Sequence, residues 1–253
     1  MVEITEKLSI PDFVEEADAL FAGIAEEYSA MERLALRLLT KQEADGLEHT
    51  VLLQCGIAWQ HYHAILLLLA NRLGVQGLVL CRTLFELVVA TLYLLKNPGL
   101  LPDFLDYGKL VFYKHALAVG LSESDLAPIK PECENIRSRF KKAKRREWHG
   151  SKIDKLAEAV ELGEMYKMFY PDASAATHSD ATKTLSHGAR GWNQSLRQFI
   201  WDEEPELVRY LSFELIGRLF CQANEILDMG HHEEANVVAQ LRLERAKSAA
   251  MPN

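Results

Sequence analysis

Apolar residues recur at helical spacing along nearly the whole chain, and no segment keeps the strict alternation of a half-buried strand. The pattern predicts an all-α protein. After Pro11 and Asp12, the residues Phe13, Leu20, Ile24, Tyr28, Met31, Leu34 and Leu38 hold one stripe, which predicts a first helix to about Thr40. Residues 47–73, with the run "AILLLLA", read as a second helix. "LGVQG" at 73–77 reads as a glycine-flanked break before "LVLCRTLFELVVATLYLLK", residues 78–96, which stops at "KNPG". A fourth helix runs from Pro102 and Asp103 to Gly120. "SESD" at 122–125 starts a connector or short helix, and Pro128 and Pro131 delay the next helix until after them. "SKIDKLAEAVELG" has a serine at its start and a glycine stop, "EMYKMFY" is a short helix ended by Pro171, and a long helix covers about 204–229.

The expected architecture is a single helical domain over residues 1–230, a bundle around the apolar helix 78–96. A polar tail, partly helical or disordered, is expected over residues 231–253. At 49% hydrophobic and 25% charged residues the composition is that of a globular protein. Cys55, Cys81, Cys133 and Cys221 show neither CxxC nor zinc spacing, and "MVEITEKLSI" lacks a basic segment followed by an apolar one. These features predict a reduced, cytoplasmic protein. The 78–96 run approaches the length of a membrane span, but Arg82 and Glu86 near its centre argue for a buried bundle helix and against a membrane.

Those two charges are the first candidate site. At about 100° per residue, positions 82, 86, 89 and 93 fall on one stripe, so Arg82, Glu86, Val89 and Tyr93 share a face. An unpaired charge there would cost several kcal/mol, so the two must pair with each other or with a third polar group. "YPDASAATHSDATKTLSHG" at 170–188 is short of large apolar residues and offers His178 and His187 as acid, base or ligand. In one continuous helix these two would point to opposite sides, so only one belongs to a given site. The net charge of −8 conceals "RSRFKKAKRR" at 137–146, which has seven basic residues and no acidic one. Such a run is either a solvated helix face or a phosphate-binding surface, with Lys141, Lys142, Arg145 and Arg146 as its candidate RNA contacts.

"LVLCRTLFELVVATLYLLKNP", followed by "EWHGSKIDKLAEAVELGEMYKMFYPDASAATHSD", resembles an uncharacterised bacterial and phage family defined only as a domain of unknown function. The likeness covers roughly residues 50–190. In broader outline, an arginine-x-x-x-glutamate helix followed by a small-residue segment ending in histidine is similar to the HEPN superfamily. These are helical domains of toxin–antitoxin and phage-defence systems, many of which cut RNA. The resemblance implies that Arg82 and Glu86 match the early charged helix, and Ser174 and His178 the terminal motif. It departs at one point: active HEPN nucleases carry an arginine a few residues before the histidine, and here positions 171–174 read Pro, Asp, Ala, Ser. "RREWH" sets Arg145 before His149, but upstream of the matching segment.

Other chemistries lack their residues. No metal or cofactor motif is present: "HYH" at 61–63 splits its histidines between helix faces, and no phosphate loop, dinucleotide fingerprint or nucleophile elbow occurs. Two readings stand. One is a HEPN-like protein with an RNA-linked or defence-linked role, cutting RNA without metal through Arg82, Glu86 and His178, with Tyr93 and Ser174 beside the substrate. The other is a noncatalytic module in which Arg82 and Glu86 form a structural clamp and the chain binds a protein partner, a second copy of itself or a small ligand.

Overall fold

A computed structural model describes residues 24–41, 44–71, 73–143, 147–177 and 205–250, and these fold as helices with no strand among them. In chain order they are α1 (Ile24–Leu39), α2 (Gly46–Ala70), α3 (Gly74–Lys96), α4 (Leu101–Ala118), α5 (Glu123–Leu126), α6 (Lys130–Lys142), α7 (Ile153–Ala159), α8 (Gly163–Thr177), α9 (Pro205–Ile226) and α10 (His232–Ala250).

The apolar 78–96 run is the middle of the fold. Helix α3 packs against α2, α9, α8 and α7. Leu84, Phe85, Val88, Val89 and Leu92 keep no exposed surface. A helix surrounded this way needs no broad polar side, which is why its hydrophobicity runs almost all round. Both α2 and α3 are long and apolar enough to cross a membrane by length and composition, and in this fold both are packed into the bundle. Helix α1 joins from outside, packing on α2, α9 and α10.

The expected break at 73–77 is narrower than its glycines suggest. Asn71 closes α2, its Nδ2 donating to the Leu67 carbonyl at 2.8 Å, and Gly74 already belongs to α3. Gly77 is buried where a Cβ would come within 3.2 Å of Leu69 Cδ2 and 3.4 Å of Val208 Cγ1. The glycine lets three helices approach. It does not loosen the chain.

Two further boundaries differ from the sequence reading. Lys152, not Ser151, precedes α7 and offers no side-chain cap, and the chain then turns at Glu161 (φ +62°), while Gly163 opens α8. Pro171 does not end α8, which continues to Thr177. Proline removes a backbone donor and crowds the carbonyl one turn back. Here both Pro171 and Lys167 are exposed, so water can reach that carbonyl, while Phe169, Tyr170 and Ala173 are buried.

Residues 231–253, expected as a polar tail, contain α10, which lies along α1 and α9. Charge docks it. Glu27 on α1 is 2% exposed; it accepts from Arg209 Nη1 at 2.7 Å and from Arg245 Nε of α10. Glu214 on α9 takes Arg242 in a two-bond fork at 2.8 and 2.6 Å. A second, smaller cluster joins α4, α5 and α6 through Leu110, Tyr113, Leu126, Ile136 and Phe140. Arg139 bridges Asp103 at 3.1 Å and Asp106 at 2.7 Å across that unit.

Candidate functional site

Where α3 meets α7 and α8, the bundle leaves a cavity of about 1100 Å³. Its floor is the polar stripe of α3, with Arg82, Glu86 and Ala90 one turn apart. Tyr166 and Tyr170 of α8 form one wall, and the loop 147–152 with the start of α7 forms the other.

Arg82 and Glu86 pair, with Nη2 at 3.0 Å from Oε1. They are not a closed clamp. The Glu86 side chain is 42% exposed against 19% for Arg82, so the carboxylate opens into the cavity while the guanidinium is held beneath it. The third polar group is Tyr170, whose hydroxyl donates to Glu86 Oε1 at 2.5 Å and accepts from Arg82 Nη2 at 3.3 Å. Its ring also lies under the guanidinium, with Cζ 5.1 Å from the centroid. Partial burial works against the Arg82 charge, but the Tyr170 hydroxyl and the Glu86 carboxylate outweigh it and raise the guanidinium pKa. Burial first, then the bond to Glu86, pushes the Tyr170 phenol up to about 12.

The bonding leaves capacity unused. Both hydrogen bonds of Arg82 among the described residues start from Nη2, and its Nε is buried without a partner. Both bonds to Glu86 from the described residues end on Oε1 and none on Oε2.

His149 stands in the facing wall with a side chain 7% exposed. The Ser151 N–H donates to its Nδ1 at 3.2 Å, and its Nε2 lies 2.7 Å from Glu147 Oε2. That pattern assigns the ring proton to Nε2, donated to the carboxylate. Trp148 beside it is buried against Phe104, edge-on at 5.1 Å, and fixes the loop to the start of α4.

The residues expected at the site distribute unevenly. Arg82 and Glu86 are at its floor. Tyr93 shares their stripe but packs on Trp148 at 6.2 Å between centroids, outside the lining. Ser174, one turn past Tyr170 on α8, is half-buried and also outside the lining. Lys141 and Lys142 are exposed at the end of α6. Arg145, Arg146, His178 and His187 lie outside the described residues. The sequence reading missed Tyr170, Tyr166 and the His149–Glu147 pair. The signal for the tyrosines was present: at positions 166 and 170 they share a helix face, and their rings stack at 4.7 Å. Both lie within the expected short helix "EMYKMFY", whose sequence carries no mark of which element that face meets.

Residues 49–194 match the model of a family described only as a family of unknown function, DUF5677, and every residue lining the cavity falls within that span. No curated protein and no solved structure matches the chain.

Proposed function

We propose, on the premise that this chain belongs to the family of unknown function DUF5677, that it is a cytoplasmic HEPN-like single-domain helical protein with an RNA-linked role, in phage defence or a toxin–antitoxin pair, and a metal-independent ribonuclease. One observation carries the reading. A guanidinium braced by Glu86 and Tyr170 lies at the floor of an open cavity walled by stacked tyrosines. That combination suits single-stranded RNA, whose unstacked bases lie on aromatic faces and whose phosphates seek arginine. In the reaction the 2′-hydroxyl would lose its proton to a base and attack phosphorus, and the 5′-oxygen would leave with a proton from an acid. Arg82 would balance the charge on the phosphoryl oxygens, Glu86 and Tyr170 would orient Arg82, and His178 would move the proton. The basic segment 137–146 would hold the strand.

A second reading has its own observation. His149 has both ring nitrogens engaged, and the Arg82–Glu86–Tyr170 cluster satisfies itself in part, as a noncatalytic binding module would require. Incubating the purified protein with short single-stranded RNA in the presence of a chelator separates the two. Cleavage by the wild type that is lost in Arg82→Met and His178→Ala, with helical circular dichroism unchanged, supports the ribonuclease. Retention of RNA without cleavage keeps the RNA-linked role and removes the ribonuclease. Neither retention nor cleavage leaves the noncatalytic module for a protein or small ligand.

A further inference from the structure

Helix α4 keeps its charged residues off the side that faces away from α6. At about 100° per residue, Leu101, Leu105, Gly108, Phe112, His115 and Val119 fall on one stripe. The lysines and acidic residues of the helix, Asp103, Asp106, Lys109 and Lys114, all lie off it. Three of them serve α6: Asp103 and Asp106 hold Arg139, and Lys109 bonds Glu132 at 2.6 Å. The stripe itself is left in water. Leu105 is 46% exposed and Phe112 and Val119 are each 61% exposed, with Val111 at their edge at 46%. Helix α4 packs on α6 and on the turn Pro98–Leu100 that leads into it, and neither covers this side. Single exposed leucines are ordinary on a protein surface. A stripe of about five turns without a lysine, an arginine or a carboxylate marks a contact face.

The shape of the stripe supplies the second, independent constraint. Leu105, Phe112 and Val119 recur at seven-residue spacing, and so do Leu101, Gly108 and His115, which is the spacing of a seam between paired helices. Gly108 leaves a notch in it: a Cβ placed there would meet open space to 4 Å among the described residues. Phe112, one turn on, is the bulge. Two copies of α4 laid antiparallel about the level of Leu110, midway along the stripe, set Phe112 of each against Gly108 of the other, Leu105 against His115, and Leu101 against Val119. Large side chains then meet a notch or a smaller partner, and no charge meets a like charge. A two-fold axis requires such a self-complementary patch. A parallel pair in register would face Gly108 with Gly108 across a gap and set His115 against His115.

We infer that the outward face of α4 is the interface between two copies of this chain, paired antiparallel, with Phe112 of each copy in the Gly108 notch of the other. A membrane surface suits the face less well, because anionic headgroups attract basic segments and this chain has a net charge of −8. A strongly charged protein partner would find no counter-charge on the stripe. The seam is about 27 Å long, at the small end of specific interfaces, so the copies should half-associate at roughly 1–100 μM. The inference is independent of what the cavity binds.

Sedimentation velocity of the full chain over a concentration series reaching about 500 μM tests it. The wild type should pass from monomer to dimer. Phe112→Glu should weaken dimerisation by about tenfold or more, with the helical circular dichroism unchanged. Gly108→Leu fills the notch and should weaken it as much, while replacing an exposed helix glycine with a better helix former, so its thermal midpoint should not fall. The swapped variant Gly108→Phe, Phe112→Gly exchanges notch and bulge and should restore dimerisation to within about tenfold of the wild type. A wild type that stays monomeric throughout the series overturns the inference, as does a dimer that survives both Phe112→Glu and Gly108→Leu. Three results on such chains say what the face does instead. Flotation of a monomeric wild type with phosphatidylcholine and phosphatidylglycerol vesicles, lost in Phe112→Glu, overturns the pairing and assigns the stripe to lipid. A monomer whose thermal midpoint falls in Phe112→Glu overturns it and assigns the stripe to cover by the chain's own residues. A swapped variant that stays monomeric with its helix content intact overturns the pairing of Phe112 with Gly108.

Discussion

Glu86 and Arg82 touch the same partners but see different amounts of water, 42% and 19% exposed, and this sets the order of their mutational costs. With Arg82→Met the surviving carboxylate is hydrated from the cavity and still accepts from Tyr170, so the loss should be about 1 kcal/mol. Glu86→Leu strands a more buried guanidinium whose Nε already lacks a partner, at about 2–3 kcal/mol. The double variant Arg82→Met, Glu86→Leu should be more stable than Glu86→Leu alone. Urea midpoints measure all three, and equal losses for the two single variants would mean that exposure does not govern the pair. Tyr170 adds a pH dependence. Its phenol is raised from 10.0 to about 12, so between these values the folded state holds a proton that the unfolded state has released. Its stabilisation is complete below pH 10 and is lost as the pH rises toward 12. Tyr28, raised to about 12 by burial first and then by Glu32, acts in the same direction. The wild type should therefore lose stability between pH 10 and 12, and Tyr170→Phe should lose it less steeply, read from urea midpoints across that range.

Among the elements, α10 shows most clearly how a glycine serves a contact. At Gly217 of α9 a Cβ would lie 2.6 Å from Arg242 Cδ and 3.2 Å from both Met31 Cε and Val238 Cγ1. Gly217→Ala gains about 1 kcal/mol of helix propensity yet should destabilise the protein by about 1–3 kcal/mol, because it presses α10 away from α9. Limited proteolysis should then cut within 232–250 sooner than in the wild type, whereas a more stable variant would show that α10 yields without loss. Pro171→Ala tests the opposite case: it restores a backbone donor inside α8 and should raise the thermal midpoint if α8 runs through residue 177. Helices α3 and α10 show where the sequence was legible and where it was not. The apolar run of α3 named the centre of the bundle, since so few polar residues leave a helix nowhere else to lie. The polar sequence of α10 concealed its docking, because ion pairs from Arg242 and Arg245 to Glu214 and Glu27 span long stretches of chain and leave no local period. At the site, Arg82 and Glu86 stood out as charges in an apolar helix. His149 and Tyr170 did not: Tyr170 follows Phe169 in an apolar short helix and His149 sits between Trp148 and Gly150 in a loop, and only the crossing of α3, α7 and α8 brings them to the pair.

Across the whole molecule, the basic segment and the cavity are joined by the chain itself. Lys141 and Lys142 are exposed at the end of α6, while Arg139 is held by Asp103 and Asp106, so these two lysines stand at the end that leads to Glu147. Five residue steps separate Lys142 from the first lining residue of the loop, a reach of at most about 18 Å. An RNA strand held by the run, as proposed, would pass within that reach of the Glu147 wall of the cavity. Changing Lys141, Lys142, Arg145 and Arg146 to glutamate should abolish RNA retention at low salt and flatten its salt dependence, because each neutralised phosphate releases a counterion. The same variant should keep the helical circular dichroism and thermal midpoint of the wild type, since neither Lys141 nor Lys142 lines the cavity or belongs to the core. Retention unchanged by the charge reversal would make the run a solvated helix end, and a lowered midpoint would mean that the run also holds the fold together.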